Sequence, residues 1–211
     1  ELYGIMPDDR VKPYNVLDII ARLVDNSEFE EYKPDYGKSI VCGTARIDGW
    51  AVGIVANQRL MVKSKKDGMQ IGGVIYTDSA DKSARFIMNC NQRNIPLVFL
   101  QDVPGLLIGT GAEQSGILRC YEQAVLRIAE AKVPKVVVVL RKAYGGGHFA
   151  LGGRPTRPDF LYAWPTADMS FMAPDTGLIT IHRRKLERAM EEGGQAAYDT
   201  LMQSLEQEWS D

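Results

Sequence analysis

Val136-Val-Val-Val-Leu-Arg-Lys-Ala-Tyr-Gly-Gly-Gly-His148 is the stretch on which the reading of the fold turns. A β-branched apolar run reads as a strand buried on both faces, and three consecutive glycines then stop it. His148-Phe-Ala-Leu151 has the composition of a short helix that ends at Gly152-Gly153. The order is therefore strand, glycine turn, helix start. A helix start leaves backbone N–H groups without intrahelical acceptors, and these carry partial positive charge. Glycines let a ligand approach such donors because no Cβ stands in the way. A turn of this kind can hold an anionic oxygen, either a phosphate or an oxyanion that forms during a reaction. It can also serve close backbone packing and nothing else.

Working outward, a second unit of the same kind precedes it. Pro96–Leu100 reads as a strand, Asp102-Val-Pro-Gly105 breaks the chain, and Gly109-Thr-Gly111 leads into a helix over about 112–132 that Pro134 ends. A helix from Asp78 or Ser79 to Arg93 comes before that strand. Nearer the start, residues 1–14 read as a linker or arm, and Asn15 caps a helix over Val16–Val24. Short strands are predicted over 27–33 and 39–46, and Asp48-Gly49 turns the latter into Trp50–Ala56 as a hairpin. Residues 58–71, lysine-rich, read as an exposed loop. Past the triple glycine, Phe160–Pro165 and Asp168–Met172 read as strands, Ile179–Glu192 as a helix stopped by Gly193-Gly194, and Gln195–Trp209 as an amphipathic segment. Strands alternating with helices after an opening set of strands indicate an α/β fold with parallel pairing.

The chain has 211 residues, 45% of them hydrophobic, which is enough for one well-buried domain. Its formal charge of −2 gives no global field toward nucleic acid or an anionic membrane. The local basic groups, Lys63, Lys65 and Lys66 in one loop and Arg183-Arg184-Lys185 after His182, read as solvated faces. No apolar run reaches membrane-spanning length. The opening Glu1-Leu-Tyr-Gly-Ile-Met-Pro7 has no Met start and no signal-peptide pattern, so it reads as a processing or expression boundary. Cys42, Cys90 and Cys120 lie far apart, which argues for reduced thiols in a cytosolic or matrix-like compartment rather than a disulfide framework or zinc knuckle. With two histidines in the chain, a His-rich metal site is not available.

Several familiar sites fail on spacing. After Gly109-Thr-Gly111 the next glycine is Gly116, which does not complete a dinucleotide fingerprint. Gly147 is followed by His148-Phe149 rather than the Lys-Ser/Thr of a P-loop, and no Gly-x-Ser-x-Gly elbow exists. Phosphate cradling is thus the weaker reading of the turn. His148 has a packed or capping role as its simplest explanation, and His182 reads as a surface helix residue. Asp102 and Glu113 could carry charge near the first glycine turn, although capping explains them as well. No acid–base dyad emerges. If the chain is catalytic, its backbone amides act with a base that substrate or cofactor brings.

Asp102-Val-Pro-Gly-Leu-Leu-Ile-Gly109, Glu113, Gly116-Ile117, Val133-Pro-Lys135, Arg141-Lys-Ala-Tyr-Gly-Gly146 and Ala163-Trp-Pro-Thr-Ala167 occur in that order. Together they resemble the C-terminal half of the carboxyltransferase (β) component of biotin-dependent acyl-CoA carboxylases, of the propionyl- and methylcrotonyl-CoA type. Leu2–Pro7 and Lys12-Pro-Tyr14 resemble the family's join between its two halves, and Val52–Asn57 and Asp78–Phe86 match as well. The resemblance covers nearly the whole chain. It implies an α/β, crotonase-like (ClpP/crotonase) superhelix of repeated ββα units, with residues 1–14 as an arm from a missing N-terminal domain. Residues 15–211 would be a C-terminal domain that normally continues past Trp209.

The same resemblance implies the chemistry. Gly146 and Gly147 would give backbone N–H groups to the ureido oxygen of biotin, while Tyr144, Gly145, His148, Phe149 and Gly105 would line the biotin and acyl pocket. Carboxybiotin, on a separate carrier, gives up its carboxyl group, and the freed ring nitrogen takes the α-proton of the acyl-CoA, so no side chain has to be a base. No metal is implied in this domain. The implied partners are an acyl-CoA, the biotin carboxyl carrier, the biotin carboxylase subunit, the protein's own N-terminal half and further copies in a dimer or larger ring. Neither nucleic acid nor membrane is among them, the location is cytoplasmic or mitochondrial matrix, and the isolated domain should be nearly inactive. Many members have Ala at the place of Gly147, and propionyl-type enzymes have Asp at that of Phe149. The aromatic ring, with Gly152-Gly-Arg154 and Pro158-x-Phe-Leu161, leans toward a bulkier or unsaturated acyl group. Rival readings are a decarboxylase run in reverse, a crotonase-type hydratase or isomerase, and a non-catalytic assembly domain.

Overall fold

The computed structural model describes residues 2–7, 9, 11–64 and 68–210, with backbone only for Tyr3, Pro174, Asp175 and Ser210. It divides into two units, Glu1–Met169 and Ser170–Asp211. The first runs α1 (Leu2–Ile5), α2 (Val16–Leu23), β1 (Phe29–Glu31), β2 (Ile40–Ile47), β3 (Trp50–Asn57), β4 (Val62–Ser64), β5 (Gly68–Gln70) and α3 (Thr77–Gln92). It continues through β6 (Leu97–Val103), α4 (Thr110–Gln114), α5 (Ile117–Glu130), β7 (Lys135–Tyr144), α6 (Gly145–Ala150), β8 (Phe160–Ala163) and β9 (Asp168–Ser170).

The main sheet has the order β1-β2-β3-β6-β7-β8, with β9 beside β7. β1, β2 and β3 are antiparallel, and from β3 onward the pairing is parallel, with Gly53 opposite Leu97, Leu97 opposite Lys135 and Val136 opposite Phe160. The parallel half follows from the connections, because α3 and α5 are long enough to carry the chain back to the same edge. The antiparallel half follows from the turn. Asp48 and Gly49 have φ of 50° and 80°, which is the mirror-image turn that suits strand twist.

Alternate residues of each strand face opposite layers. Ile40, Cys42, Val55, Leu97, Phe99 and Val137 pack with Phe86 and Ile87 of α3 and Ile128 of α5. Val41, Ile54, Ala56, Leu100 and Leu140 pack with Val16, Ile19 and Ile20 of α2 and with Met6 and Tyr14. The segment before α2 is therefore built into the unit, with α1 and the buried Met6 and Tyr14 on the second layer. Asn15 caps α2 as predicted, accepting the Leu17 N–H at 3.2 Å.

Three local readings change. The helix predicted over 112–132 is two, α4 and α5, broken at Gly116, whose φ of 86° a helix cannot continue. The loop predicted over 58–71 holds the small β4–β5 hairpin, with Lys63 in β4, while Lys65 and Lys66 lie outside the described residues. The glycines that were to separate strand from helix lie inside the helix: β7 runs on to Tyr144 and α6 begins at Gly145. In the second unit, α7 (Pro174–Ser210) bends at His182 and at Gly194, where φ is 64°, and buries Leu178, Leu186 and Leu205.

Ile87, wholly buried between α3 and the sheet, tests which layer carries stability. Ile87→Ala is expected to lower unfolding free energy by about 2–5 kcal/mol, read by urea denaturation.

Candidate functional site

The sheet is irregular where it matters. Gln101 of β6 faces Val139 of β7, and the next paired residues are Val103 and Ala143. Asp102 alone thus stands opposite Leu140, Arg141 and Lys142, a bulge in β7. Bulged residues lose their ladder partners and bend the strand. Here side chains replace the ladder: one Asp102 oxygen accepts the Lys142 N–H at 3.1 Å, and the Thr166 hydroxyl donates to the Leu140 carbonyl at 2.8 Å.

The other Asp102 oxygen lies 2.9 Å from Arg141 Nε and 3.3 Å from Arg59 Nε. Asp102 and Arg141 are fully buried. Arg141 also donates to the carbonyls of Asp9 and Lys12 at 2.9 and 3.0 Å and lies over the Tyr14 ring. Arg59 donates to the Gly72 carbonyl at 3.0 Å, and Asn57 links the Asp102 N–H to the Gly73 carbonyl. Burial, and then the Asp102 charge, push the Tyr14 phenol far above its ordinary range. Burial also lowers the Lys142 amine, assisted by the positive charge of Arg59.

Beyond the bulge, Gly145, Gly146 and Gly147 form the first turn of α6, entered through Gly145 at φ 47°. Their amides are the first of the helix and have no acceptor one turn back. Among the described residues, no backbone bond outside the helices and strands uses the Gly146 or Gly147 N–H. At six residues α6 is too short for its dipole to matter much. The donors act as individual hydrogen-bonding groups.

The two glycine turns foreseen in the sequence meet here. A Cβ on Gly147 would stand 2.6 Å from Val103 Cγ2 and 3.2 Å from Gly105 Cα, so the β6 turn packs on the α6 turn and leaves no room for a side chain. Gly105, at φ 151°, gives its carbonyl to the Ile75 N–H at 3.0 Å. At Gly146, which is partly exposed, a Cβ would come within 3.0 Å of Leu106 Cδ2 and 3.1 Å of the Tyr121 oxygen. Tyr121 donates its hydroxyl hydrogen to the Gly146 carbonyl at 2.8 Å, and burial raises its phenol, which keeps it a donor.

The remaining residues singled out in the sequence surround this turn. Tyr144 is buried and donates to Asp168 Oδ2 at 2.6 Å. Phe149 is partly exposed, with its ring centroid 6.1 Å from that of His148. His148 has both ring nitrogens engaged. Nε2 accepts the Arg154 N–H at 3.3 Å, which puts the proton on Nδ1, facing Gln101 Oε1 at 2.8 Å. Gln101 in turn donates to the Leu151 carbonyl at 2.6 Å. Burial lowers the His148 pKa, so the ring is a neutral clamp between α6 and the chain that follows it. The cleft of about 340 Å³ lined by Glu31, Phe86, Cys90 and Arg93 includes none of these glycines.

Tyr121, Asn57, Arg59 and Thr166 were not foreseen, and neither was the bulge. One signal was present: opposite charges, Asp102 and Arg141, end two apolar runs that the α/β pattern makes neighbours.

With this geometry in place, likeness to known proteins is informative. The family described as carboxyl transferase domain matches residues 1–210. The chain is similar to the propionyl-CoA carboxylase beta chain of Saccharopolyspora erythraea, with 39% identity over 211 residues, covering 100% of this chain and 37% of that protein. It is similar to methylmalonyl-CoA decarboxylase subunit alpha of Propionigenium modestum, with 40% identity over 189 residues, or 90% and 35% of the two chains. Transcarboxylase 12S, whose crystal structure is described as a hexamer assembly with hydrolysed methylmalonyl-coenzyme A bound, superposes with a TM-score of 0.86 at 36% identity, over 99% of this chain and 37% of that one. The chain therefore spans 37% of the length of two of these relatives. The fold is α/β and crotonase-like, as the sequence implied.

The His148 clamp gives a pH test. Because the folded pKa is lowered, the unfolded chain binds a proton that the folded chain resists. The contribution is complete above the unfolded value of about 6.5 and is lost as pH falls from there through the lower folded value. His148→Asn is expected to flatten the fall of unfolding free energy between about pH 7 and 5, measured by denaturation across that range.

Proposed function

The chain belongs to the carboxyl transferase domain family, and on that premise we propose that it is the C-terminal half of an acyl-CoA carboxyltransferase. The reaction moves a carboxyl group from carboxybiotin to the α- or γ-carbon of an acyl-CoA. The observation that carries this reading is the pair of amides at Gly146 and Gly147, without an acceptor among the described residues, in a turn closed on one side by Gly105 and Val103.

The residues fit a ureido group. Its oxygen needs N–H donors with no side chain in front of them; Gly146, without a Cβ and partly exposed, would offer one, and Gly147, buried beside it, the second. Biotin, when bound, would supply the carboxyl group and a ring nitrogen able to accept the substrate proton. The protein's part is to hold the oxygen, orient the ring and keep preorganised donors where negative charge grows. One such donor is worth about 2.7–4 kcal/mol of barrier. Tyr144, Gly145 and Phe149 would border the ring and the acyl chain. His148 would act through the loop it clamps, since its nitrogens face Gln101 and Arg154. The Phe149 ring favours a bulkier or unsaturated acyl group over a short one.

The acyl-CoA itself would be held mainly by the protein's own N-terminal half in a partner copy, so the working form would be a dimer or larger ring served by a biotin carboxylase and a biotin carrier. Residues 2–14 would be the join to that half. A cytoplasmic or mitochondrial matrix location suits these partners. Among the described residues no helix is long and apolar enough to cross a membrane. Likeness to a decarboxylase subunit favours a second reading, the same transfer in reverse. Incubating the full-length protein with a biotinylated carrier and a malonyl-type thioester, and with the uncarboxylated thioester plus carboxybiotin, separates the two directions.

Gly146→Pro deletes the donor, while Gly146→Ala adds a similar Cβ and keeps it. In the full-length enzyme the Pro variant is expected to lose about 10²–10³-fold in kcat relative to the Ala variant. Equal rates would remove the amide from the mechanism.

A further inference from the structure

The glycines cannot aim themselves, because a residue without a side chain makes no contact that fixes its peptide plane. Two groups outside the turn make such contacts. The first is the Tyr121 hydroxyl on the Gly146 carbonyl, at 2.8 Å. That carbonyl and the Gly147 N–H belong to one planar trans peptide and point in opposite directions. Holding the carbonyl toward α5 therefore directs the Gly147 N–H away from α5. The second is Asp102. The bulge it faces would leave Lys142 without an acceptor, and the carboxylate takes that N–H at 3.1 Å while Arg141 Nε binds its other oxygen at 2.9 Å. Lys142 stands three positions before Gly145, so the bend at the bulge sets the direction in which β7 delivers the turn.

We propose that Tyr121 and Asp102 are positioning residues for the Gly146–Gly147 turn, Tyr121 fixing the peptide plane that carries the Gly147 N–H and Asp102 fixing the bulge behind it. Neither touches the reacting groups. Their effect falls on the charged transition state, because an amide turned by a few tenths of an ångström still admits the ligand and stabilises developing charge less well. The proposal rests on the carboxyltransferase reading for its kinetic consequence, and on geometry alone for its structural one.

The experiment uses the full-length protein with Tyr121→Phe, which removes one oxygen atom, and Asp102→Asn, which keeps an acceptor for Lys142 and removes the charge. Each is compared with wild type in carboxyl transfer and in amide hydrogen exchange of the peptide covering 141–151. For each folded variant the expected result is a fall in kcat of about 10–100-fold, with acyl-CoA KM within about threefold, and faster exchange confined to that peptide. If Asp102→Asn does not fold, because two guanidiniums have lost the carboxylate they share, Tyr121→Phe decides. Unchanged exchange of 141–151 in Tyr121→Phe overturns the proposal, as does a rise in exchange spread over the whole chain. A KM increase with kcat unchanged overturns it too. Should wild type transfer no carboxyl group, the functional reading fails while the exchange data still judge the positioning.

Discussion

One carboxylate, that of Asp102, is shared by two buried guanidiniums at the place where three parallel strands end. Removing such charges from water costs several kcal/mol per ion, and attraction offsets this only where the remaining hydrogen-bonding capacity is also met. Here it largely is. Asp102 accepts from Arg141 and from the Lys142 amide, and one terminal nitrogen each of Arg141 and Arg59 donates to carbonyls of residues 9, 12 and 72, while Arg141 Nη2 and Arg59 Nε have no hydrogen-bond acceptor among the described residues. The consequence is geometric. Segments from five parts of the sequence, around residues 9–14, 57–59, 72–73, 102 and 141–142, are fixed to one another by a group that tolerates little movement.

That fixed point lies directly behind the glycine turn. The β7 bulge leaves it, β6 passes it, and within a few residues both strands deliver the glycines that pack Gly105 against Gly147. The polar cluster and the turn do different work. The cluster is dry, charged and closed, whereas the turn carries neutral amide donors, with Gly146 partly exposed and Gly147 buried. On the proposed reading, separating the two would keep the donors open for a ligand, which is what preorganisation requires.

Much of this was legible in the sequence. The apolar runs at 52–56, 97–100 and 136–140 gave the parallel strands, because buried strands are continuous in hydrophobicity. Asp48-Gly49 gave the hairpin, and Asn15 the cap of α2. The glycine stretch reads in the sequence as a turn able to hold an anionic oxygen, but its limits differ: glycine composition says stop, while the backbone places those residues in the first turn of α6. What stayed hidden depends on contacts far apart in sequence. Tyr121 looks like any other residue on the inner face of a helix until the fold brings it to Gly146. Arg59, in a polar stretch, gave no sign of its burial against Asp102. The break at Gly116 was missed because the apolar period continues across it.

The central claim is that two main-chain amides, at Gly146 and Gly147, hold the oxygen on which negative charge grows. A crystal structure of the full-length protein with biotin tests it most directly. The account predicts the ureido oxygen within about 3 Å of both nitrogens, with the Tyr121 bond to the Gly146 carbonyl intact. A bound biotin whose ureido oxygen lies elsewhere, with those amides donating to a protein acceptor, would contradict it.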